Sequence, residues 1–232
     1  MTILALDTSG PVCGVALLKD GEILSEHYVR NRMTHSVNLL PMVEETLRLS
    51  QCPLEKVDRL AVVVGPGSFT GVRIGVCAAK GIAHGAHLPC VPVNALEAMA
   101  VGAGWFDGVI CPIQDARAGQ VYGAAFRCGE RPLRLMEDAP WKLEDFLARV
   151  GERGEACLFL GDGMPVHRKA IERILGAQAV FAPPPLASLR PSGVASLGER
   201  AKETVDYREL MPLYLRQPSA ERNRKLMEAA HV

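Results

Sequence analysis

The sequence predicts a two-lobed α/β protein, and three observations lead there. The first half reads β-β-β-α-β-α-β-α, and the second half repeats a shorter β-β-α-β-α. Duplicated halves of that order suggest two lobes of related build. The stretch Val62-Val63-Val64 is apolar without alternation, as expected of a strand covered on both faces of a parallel sheet. A chain of 232 residues, about half of them apolar, is long enough for one large or two small domains with a real core.

Residues 2–6 are β-prone and end at Asp7-Thr8-Ser9-Gly10-Pro11, a turn by composition. A second strand spans Cys13 to Lys19. Asp20-Gly21 is a hairpin signal, and a third strand runs from Glu22 to about Arg30. Thr34 or Ser36 then caps a helix reaching about Ser50, with Pro41 marking either a late start or a kink. Asp58 to Val64 is the buried strand, and Gly65-Pro66-Gly67-Ser68 a turn. A helix of small residues follows from about Thr70 to Ala86. Leu88 to Val93 is a strand and Ala95 to Gly102 a helix.

Gly102-Ala103-Gly104 reads as a hinge. It divides a first lobe, 1–103, from a smaller second lobe, 104–218, and a charged helix over 219–232 is the candidate to complete the first lobe. In the second lobe, Val109 to Gln114 and Val121 to Cys128 are strands, and Trp141 to Val150 is helical. Ala156 to Leu160 is a strand ending at Gly161-Asp162-Gly163, and Pro165 to Leu175 is helical. Ala179 to Phe181 is a short strand, Pro183 to Pro185 an extended loop, and Ser192 to Val205 a helix.

Charge and cysteine usage narrow the function classes. Lys plus Arg equals Asp plus Glu at 26 each, which argues against a stand-alone nucleic-acid binder driven by counterion release. The seven cysteines show no CxxC spacing, so neither a disulfide framework nor a zinc ribbon is expected. No basic leader opens the chain, and no stretch approaches the roughly 20 apolar residues of a membrane span. These features point to the reducing cytoplasm.

The sharpest motif is Gly65-Pro-Gly-Ser-Phe-Thr-Gly-Val-Arg-Ile-Gly75, between a buried strand and a helix. Backbone N–H groups at such a place attract phosphate. Yet no Gly-Lys-Ser/Thr stands where a Walker A loop needs it, and Thr70 replaces the third glycine of a dinucleotide fingerprint. Gly71, Gly75, Ala78, Ala79 and Ile82 instead fall on one helical face, where small residues admit a neighbouring backbone. The spacing favours close packing over ligand binding. The preceding helix carries two apolar stripes, Val37/Leu40/Val43/Leu47 and Leu39/Met42/Thr46/Leu49, where a surface helix needs one. If the two helices lie side by side, the surplus forms a partner face of Leu39, Leu40, Met42, Val43, Gly71, Gly75, Ala78, Ala79 and Ile82. The competing reading sinks both stripes in the lobe.

Asp7 and Ser9 are the weak candidates for holding Mg²⁺ or phosphate, against an Asx turn in which Asp7 bonds its own backbone. Asp115-Ala-Arg117 and Gly161-Asp162-Gly163 sit at strand ends, where α/β sites form, though ordinary turn chemistry explains both. The histidines have no metal spacing, and neither HExxH nor GxSxG occurs.

Ile3-Leu-Ala-Leu-Asp-Thr-Ser9, His35-Ser-Val-Asn-Leu-Leu-Pro41, Val63 to Gly75 and Pro92-Val-Asn-Ala-Leu-Glu97 together resemble the TsaB (YeaZ) family. Asp115-Ala-Arg117 with Val121-Tyr122, Gly161-Asp-Gly163 and Pro212-Leu-Tyr-Leu-Arg216 extend the resemblance along nearly the whole chain. The resemblance implies an actin-like ATPase/Hsp70-type (ASKHA) fold, with a mixed sheet flanked by helices in each lobe. It implies a part in making N6-threonylcarbamoyladenosine at position 37 of ANN-decoding tRNAs, as the partner of a catalytic TsaD-type paralogue. A TsaE-type ATPase joins the complex, the protein alone forms a homodimer through first-lobe helices, and tRNA is reached indirectly. ATP or ADP and metal are expected only in the assembled complex.

TsaD-like enzymes carry a His-x-x-x-His metal pair just after the strand that follows the glycine-rich helix. The matching stretch here, Val93-Asn-Ala-Leu-Glu-Ala-Met99, has no histidine. No catalytic or metal residue is therefore assigned. The competing expectation is a weak nucleotide-binding ATPase or phosphotransferase of the same fold, and a peptidase finds no support in the motifs. Arg30, Arg32, Arg222, Arg224 and Lys225 are candidate phosphate contacts, against the ordinary reading of solvated surface.

Overall fold

The computed structural model describes residues 1–31, 33–129 and 131–216. The helix expected over 219–232, and Arg32, Arg222, Arg224 and Lys225, lie outside the described residues. The first lobe contains β1 (Thr2–Asp7), β2 (Cys13–Lys19), β3 (Glu22–Val29), α1 (His35–Leu49), β4 (Arg59–Gly65), α2 (Phe69–Ala86), β5 (Cys90–Asn94) and α3 (Ala95–Gly102). Its sheet order is β3-β2-β1-β4-β5, antiparallel through β3-β2-β1 and parallel through β1-β4-β5. The turn Asp20-Gly21 has positive φ at both residues, 49° and 83°, as a two-residue hairpin requires. Helix α1 continues through Pro41 rather than starting after it.

The second lobe contains β6 (Val109–Asp115), β7 (Gln120–Arg127), β8 (Leu133–Lys142), α4 (Leu143–Gly151), β9 (Cys157–Leu160), α5 (Gly163–Leu175), β10 (Ala179–Phe181) and α6 (Pro191–Arg200). Its sheet order, β8-β7-β6-β9-β10, repeats the first lobe's arrangement and directions strand for strand. This duplication is the architecture expected of the actin-like ATPase/Hsp70-type fold.

Three local expectations are corrected. The sequence reading has no β8, and it assigns Trp141 to a helix. Trp141 belongs to β8, opposite Val121, with its indole N–H donating to the Gly123 carbonyl at 3.1 Å. Pro184–Leu186 forms a short 3-10 turn rather than a wholly extended loop, since proline's fixed φ suits a first helical turn. Helix α6 stops at Arg200. Val205 beyond it exchanges two backbone hydrogen bonds with Cys90, at 2.8 and 2.9 Å, and a helical Val205 could not.

Strands β1 and β4 are buried on both faces, which is why they read as continuous apolar runs. Leu4, Leu6, Val62 and Val64 face α1 and α2. Ile3, Ala5, Ala61 and Val63 face a second core that also holds residues of α3, α6 and the second sheet, among them Ile110, Phe126 and Leu158. Helix α6 follows the second lobe in sequence but packs on the first sheet. It sits so close that a Cβ on Gly198 would lie 2.6 Å from the Ala61 Cβ.

The start of α6 is tied to β3 by Glu26. One carboxylate oxygen accepts the Ser192 N–H at 2.9 Å, and the other pairs with Arg190, whose guanidinium stacks 4.2 Å from the Tyr28 ring. Burial acts to raise the Glu26 pKa, but Arg190 and Ser192 together outweigh it and hold the carboxyl below its usual 4.5. A depressed acid stabilises the fold above its unfolded pKa and loses that contribution as pH falls through its folded pKa. Glu26→Gln should therefore cost about 1–3 kcal/mol at pH 7. Urea midpoints of both proteins should converge as pH drops below 4.5.

Candidate functional site

The ends of β1 and β4 meet at the mouth of the cleft between the lobes. Asp7 is buried, and its Oδ1 accepts both the N–H and the hydroxyl of Ser9, at 2.8 and 2.7 Å. This is the Asx turn. Burial raises the Asp7 pKa above the ordinary range, while the Ser9 bonds and His35 oppose the rise. Thr8, also buried, donates its hydroxyl to the Gly71 carbonyl at 2.7 Å, and the Ser68 N–H donates to the Ser9 carbonyl at 2.7 Å.

These bonds draw the start of α2 onto the turn. A Cβ at Gly71 would lie 2.1 Å from the Thr8 carbonyl oxygen, and one at Gly75 would lie 2.4 Å from the Thr8 hydroxyl. The small-residue motif is thus explained by close approach of α2 to β1 within one lobe.

The second lobe places equivalent loops opposite. Asp115, at the end of β6, accepts the Arg117 N–H at 3.0 Å and lies 3.5 Å from His167 Nε2. Arg117, Ala118 and Gly119 are all left-handed, with φ of 63°, 53° and 70°. Asp162 precedes α5. Burial pushes its pKa up to about 6, the Asp115 charge adds to this, and Arg30 opposes it.

Between the two sets of loops, Asp7, Ser9, Met99, Gln114, Asp162 and Ser188 line a cavity of about 20 Å³. That is room for a single water. Small-molecule sites occupy about 300–1,000 Å³. Gln114 is buried there with its Oε1 unpartnered among the described residues.

The stretch Val93 to Met99 is also committed to structural contacts. Asn94 Oδ1 accepts the N–H groups of Leu96 and Glu97, at 2.9 and 3.0 Å, and so caps α3. Glu97 pairs with Arg131 at 2.8 Å and Arg134 at 3.5 Å. Among the described residues no group of three or more His, Cys, Asp or Glu is placed to hold a metal ion. Nor, among them, is any helix long and apolar enough to cross a membrane.

Of the nine residues expected on the partner face, Leu39, Val43, Gly71, Gly75 and Ala79 are buried in their own lobe. Met42, Ala78 and Ile82 are half-buried, and Leu40 is 49% exposed. Periodicity found the stripes, but it cannot say which stripe meets the lobe's own sheet. The sheet takes the Leu39/Val43/Thr46 side, which leaves Val37, Leu40, Pro41 and Glu44 outermost on α1. Thr70, Arg73, Cys77 and Gly81 are outermost on α2, which packs beside α1.

Residues 205–216 cover one flank of α2, a role that sequence reasoning missed. Tyr207 stacks 4.7 Å from His84, and the Leu213 N–H donates to the Val64 carbonyl at 2.7 Å. Tyr214 packs 4.8 Å from Phe69 and accepts from Arg73 Nε at 2.7 Å. Arg216 then crosses to the second lobe and donates to the Ala116 carbonyl at 3.2 Å. The only signal was the Pro212-Leu-Tyr-Leu-Arg216 motif itself, whose aromatic and arginine suit a stacked strap.

Two outcomes follow from this geometry. Gly71→Ala should destabilise by about 1–3 kcal/mol, because the opposing atom is backbone and cannot turn away; thermal melts check it. Asp162 is an acid whose folded pKa, about 6, lies above its unfolded value of 3.8. The fold therefore loses stability as pH rises between those values. Asp162→Asn should be the more stable protein above pH 6, by on the order of 3 kcal/mol, with the gap closing below pH 4 in denaturant titrations.

The family model for TsaD, tRNA N6-adenosine threonylcarbamoyltransferase, matches residues 25–224. The tRNA threonylcarbamoyladenosine biosynthesis protein TsaB of Bacillus subtilis is 37% identical over 222 residues, 95% of this chain and 96% of that protein. The structure of YeaZ from Pseudomonas aeruginosa superposes with a TM-score of 0.77 at 28% identity, covering 92% of this chain and 99% of that one. Component A of the (R)-2-hydroxyglutaryl-CoA dehydratase of Acidaminococcus fermentans shares the fold alone, with a TM-score of 0.51 at 13% identity over 90% of this chain and 99% of that one. Sequence and architecture agree, and the chain belongs to the TsaB (YeaZ) family.

Proposed function

We propose that this chain is a non-catalytic subunit in the synthesis of N6-threonylcarbamoyladenosine at position 37 of ANN-decoding tRNAs, and that it works in the cytoplasm by binding and activating a TsaD-type paralogue. One contrast carries the reading. The cleft, where a nucleotide or metal would sit in this fold, is closed down to about 20 Å³, and its loops bond one another. The outer side of α1 leaves Val37 and Leu40 each 49% exposed. Apolar groups left in water beside a well-packed lobe suit a protein partner.

In this reading Leu40, with Val37 and Pro41, meets the paralogue directly. Met42, Ala78 and Ile82 form the half-buried floor of the contact. Leu39, Val43, Gly71, Gly75 and Ala79 hold the two helices in place beneath it. The same face joins two copies when the chain is alone. A TsaE-type ATPase enters the assembled complex, and ATP or ADP and metal belong to that complex rather than to the isolated subunit.

Leu40→Glu tests the face, because its side chain is exposed and its loss leaves the core intact. The variant should melt within a few degrees of the native protein and bind the paralogue at least about tenfold more weakly by calorimetry. Undiminished binding by the folded variant would remove α1 from the interface. Titrating Mg-ATP into the isolated chain should give no stoichiometric heat. A saturable one-to-one site would favour an ATPase or phosphotransferase instead.

A further inference from the structure

Three arginines stand along the rim of the cleft with no carboxylate partner among the described residues. Elsewhere Arg48 pairs with Glu45, Arg127 with Glu155, Arg131 with Glu97, Arg168 with Glu172 and Arg190 with Glu26, while Arg59, Arg73 and Arg153 donate to oxygen atoms of Ala201, Tyr214 and Leu135. Among the described residues, Arg30, Arg117 and Arg216 have no carboxylate within ion-pair distance. They arrive from three separate segments: the end of β3, the turn between β6 and β7, and the strap after α6. Arg216 donates to the carbonyl of Ala116, the residue before Arg117. Arg30 follows Val29, which pairs with Cys13, and the neighbouring Val12 lines the cavity together with Asp162, so Arg30 stands at the same rim. Arg30 and Arg117 are exposed.

The turn that presents Arg117 is held firmly. Two non-glycine residues in succession, Arg117 and Ala118, are left-handed, a conformation that persists only where its surroundings impose it. Here the Ala116 N–H donates to the Gln120 carbonyl at 2.9 Å, the Gln120 N–H donates to the Arg117 carbonyl at 3.1 Å, and Asp115 accepts the Arg117 N–H at 3.0 Å. Two acids, Asp162 and Asp115, stand against the three arginines, so the rim keeps a net positive charge. Asp162 is largely buried, and Asp115 is half-buried with one oxygen already occupied by backbone.

We propose that Arg30, Arg117 and Arg216 form a contact for RNA phosphates, so that the tRNA acted on by the assembled machinery touches this subunit directly. The inference rests on the function proposed above and departs from the expectation that tRNA is reached only indirectly. A guanidinium fork matches a pair of phosphate oxygens. The arrangement is a rim above a cavity of about 20 Å³, which suits a continuous phosphodiester backbone lying across it rather than a free nucleotide entering it.

The test is a fluorescence titration of a labelled anticodon stem-loop RNA with the full chain, alone and in complex with its paralogue. Native protein is compared with the Arg30→Glu/Arg117→Glu pair and with the corresponding Arg→Lys pair. Charge reversal should weaken RNA binding at least about tenfold and flatten the log affinity–log salt slope by about 1 for each phosphate that is no longer neutralised. The lysine pair should keep most of the slope. Equal affinity and slope in the folded charge-reversed protein would overturn the proposal, as would no binding of the RNA by either native form at low salt. Gel filtration with the paralogue is scored separately. A native chain that binds RNA but not the paralogue sinks the functional reading and leaves this inference standing.

Discussion

Everything in the first lobe depends on how tightly α2 sits on the turn that ends β1. Thr8 is buried beneath the helix, its hydroxyl bonded to the Gly71 carbonyl, and the Ser68 N–H closes on the Ser9 carbonyl. Neither bond survives if α2 moves outward by the width of a methyl group, and Gly71 and Gly75 have no Cβ for that reason. A buried hydroxyl or carbonyl left unpaired costs more than a made bond contributes, so the glycines and Thr8 must be kept together. The chain's most distinctive motif is thereby a packing device. Its small residues face its own lobe, and its Ser68 and Gly71 N–H groups are bonded to Ser9 and Ser68.

The same tightness extends across the cleft. Helix α3 shares its apolar surroundings with both sheets, α6 returns from the second lobe to cover the first, and Arg216 spans from the strap to Ala116. Opening the lobes would pull Ile110, Phe126 and Leu158 away from Met99, Val194 and Leu197, exposing apolar surface that is now dry. The two lobes are here fastened together by elements from both halves. Burial of Asp7 and Asp162 beside that closed space raises both pKa values, because desolvation outweighs the opposing charges of His35 and Arg30.

Local sequence announced most of this fold because the first lobe is consistent at every level. Asp20-Gly21 demands the left-handed turn it adopts, and the Val62–Val64 run is apolar because helices cover both faces of β4. Strand β8 was illegible. Its residues are mostly half-buried, Pro140 interrupts it, and its pairing with β7 slips in register near Ala125, so no clean alternation survives. The start of α6 was readable, but neither its end at Arg200 nor its docking on the other lobe's sheet was, since contact between Gly198 and Ala61 is a matter of topology. The candidate site divided in the same way. Composition showed that two apolar stripes exist on α1, but only the position of the sheet decides that Leu39 is core and Leu40 is surface. The strap from Val205 to Arg216 shows no helical or strand period, and its role lies in stacking on Phe69 and His84, far away in sequence.

The binding face proposed on α1 and α2 would be served by a rigid, closed body. Association costs less when the surface presented is already in its bound shape. The outer side of α1 and α2 is fixed from below by Leu39, Val43 and Ala79, at its flank by the strap through Arg73 and Tyr214, and at its end by the Thr8–Gly71 bond. None of these supports lies on the apolar outer side of α1. Substitutions there can alter partner choice without loosening the lobe, while changes beneath it disturb fold and binding together. That separation follows from the packing of the first lobe: once α2 is committed to β1 through its glycines and to the strap through Arg73, the exposed apolar residues Val37 and Leu40 of α1 are left free of structural duty.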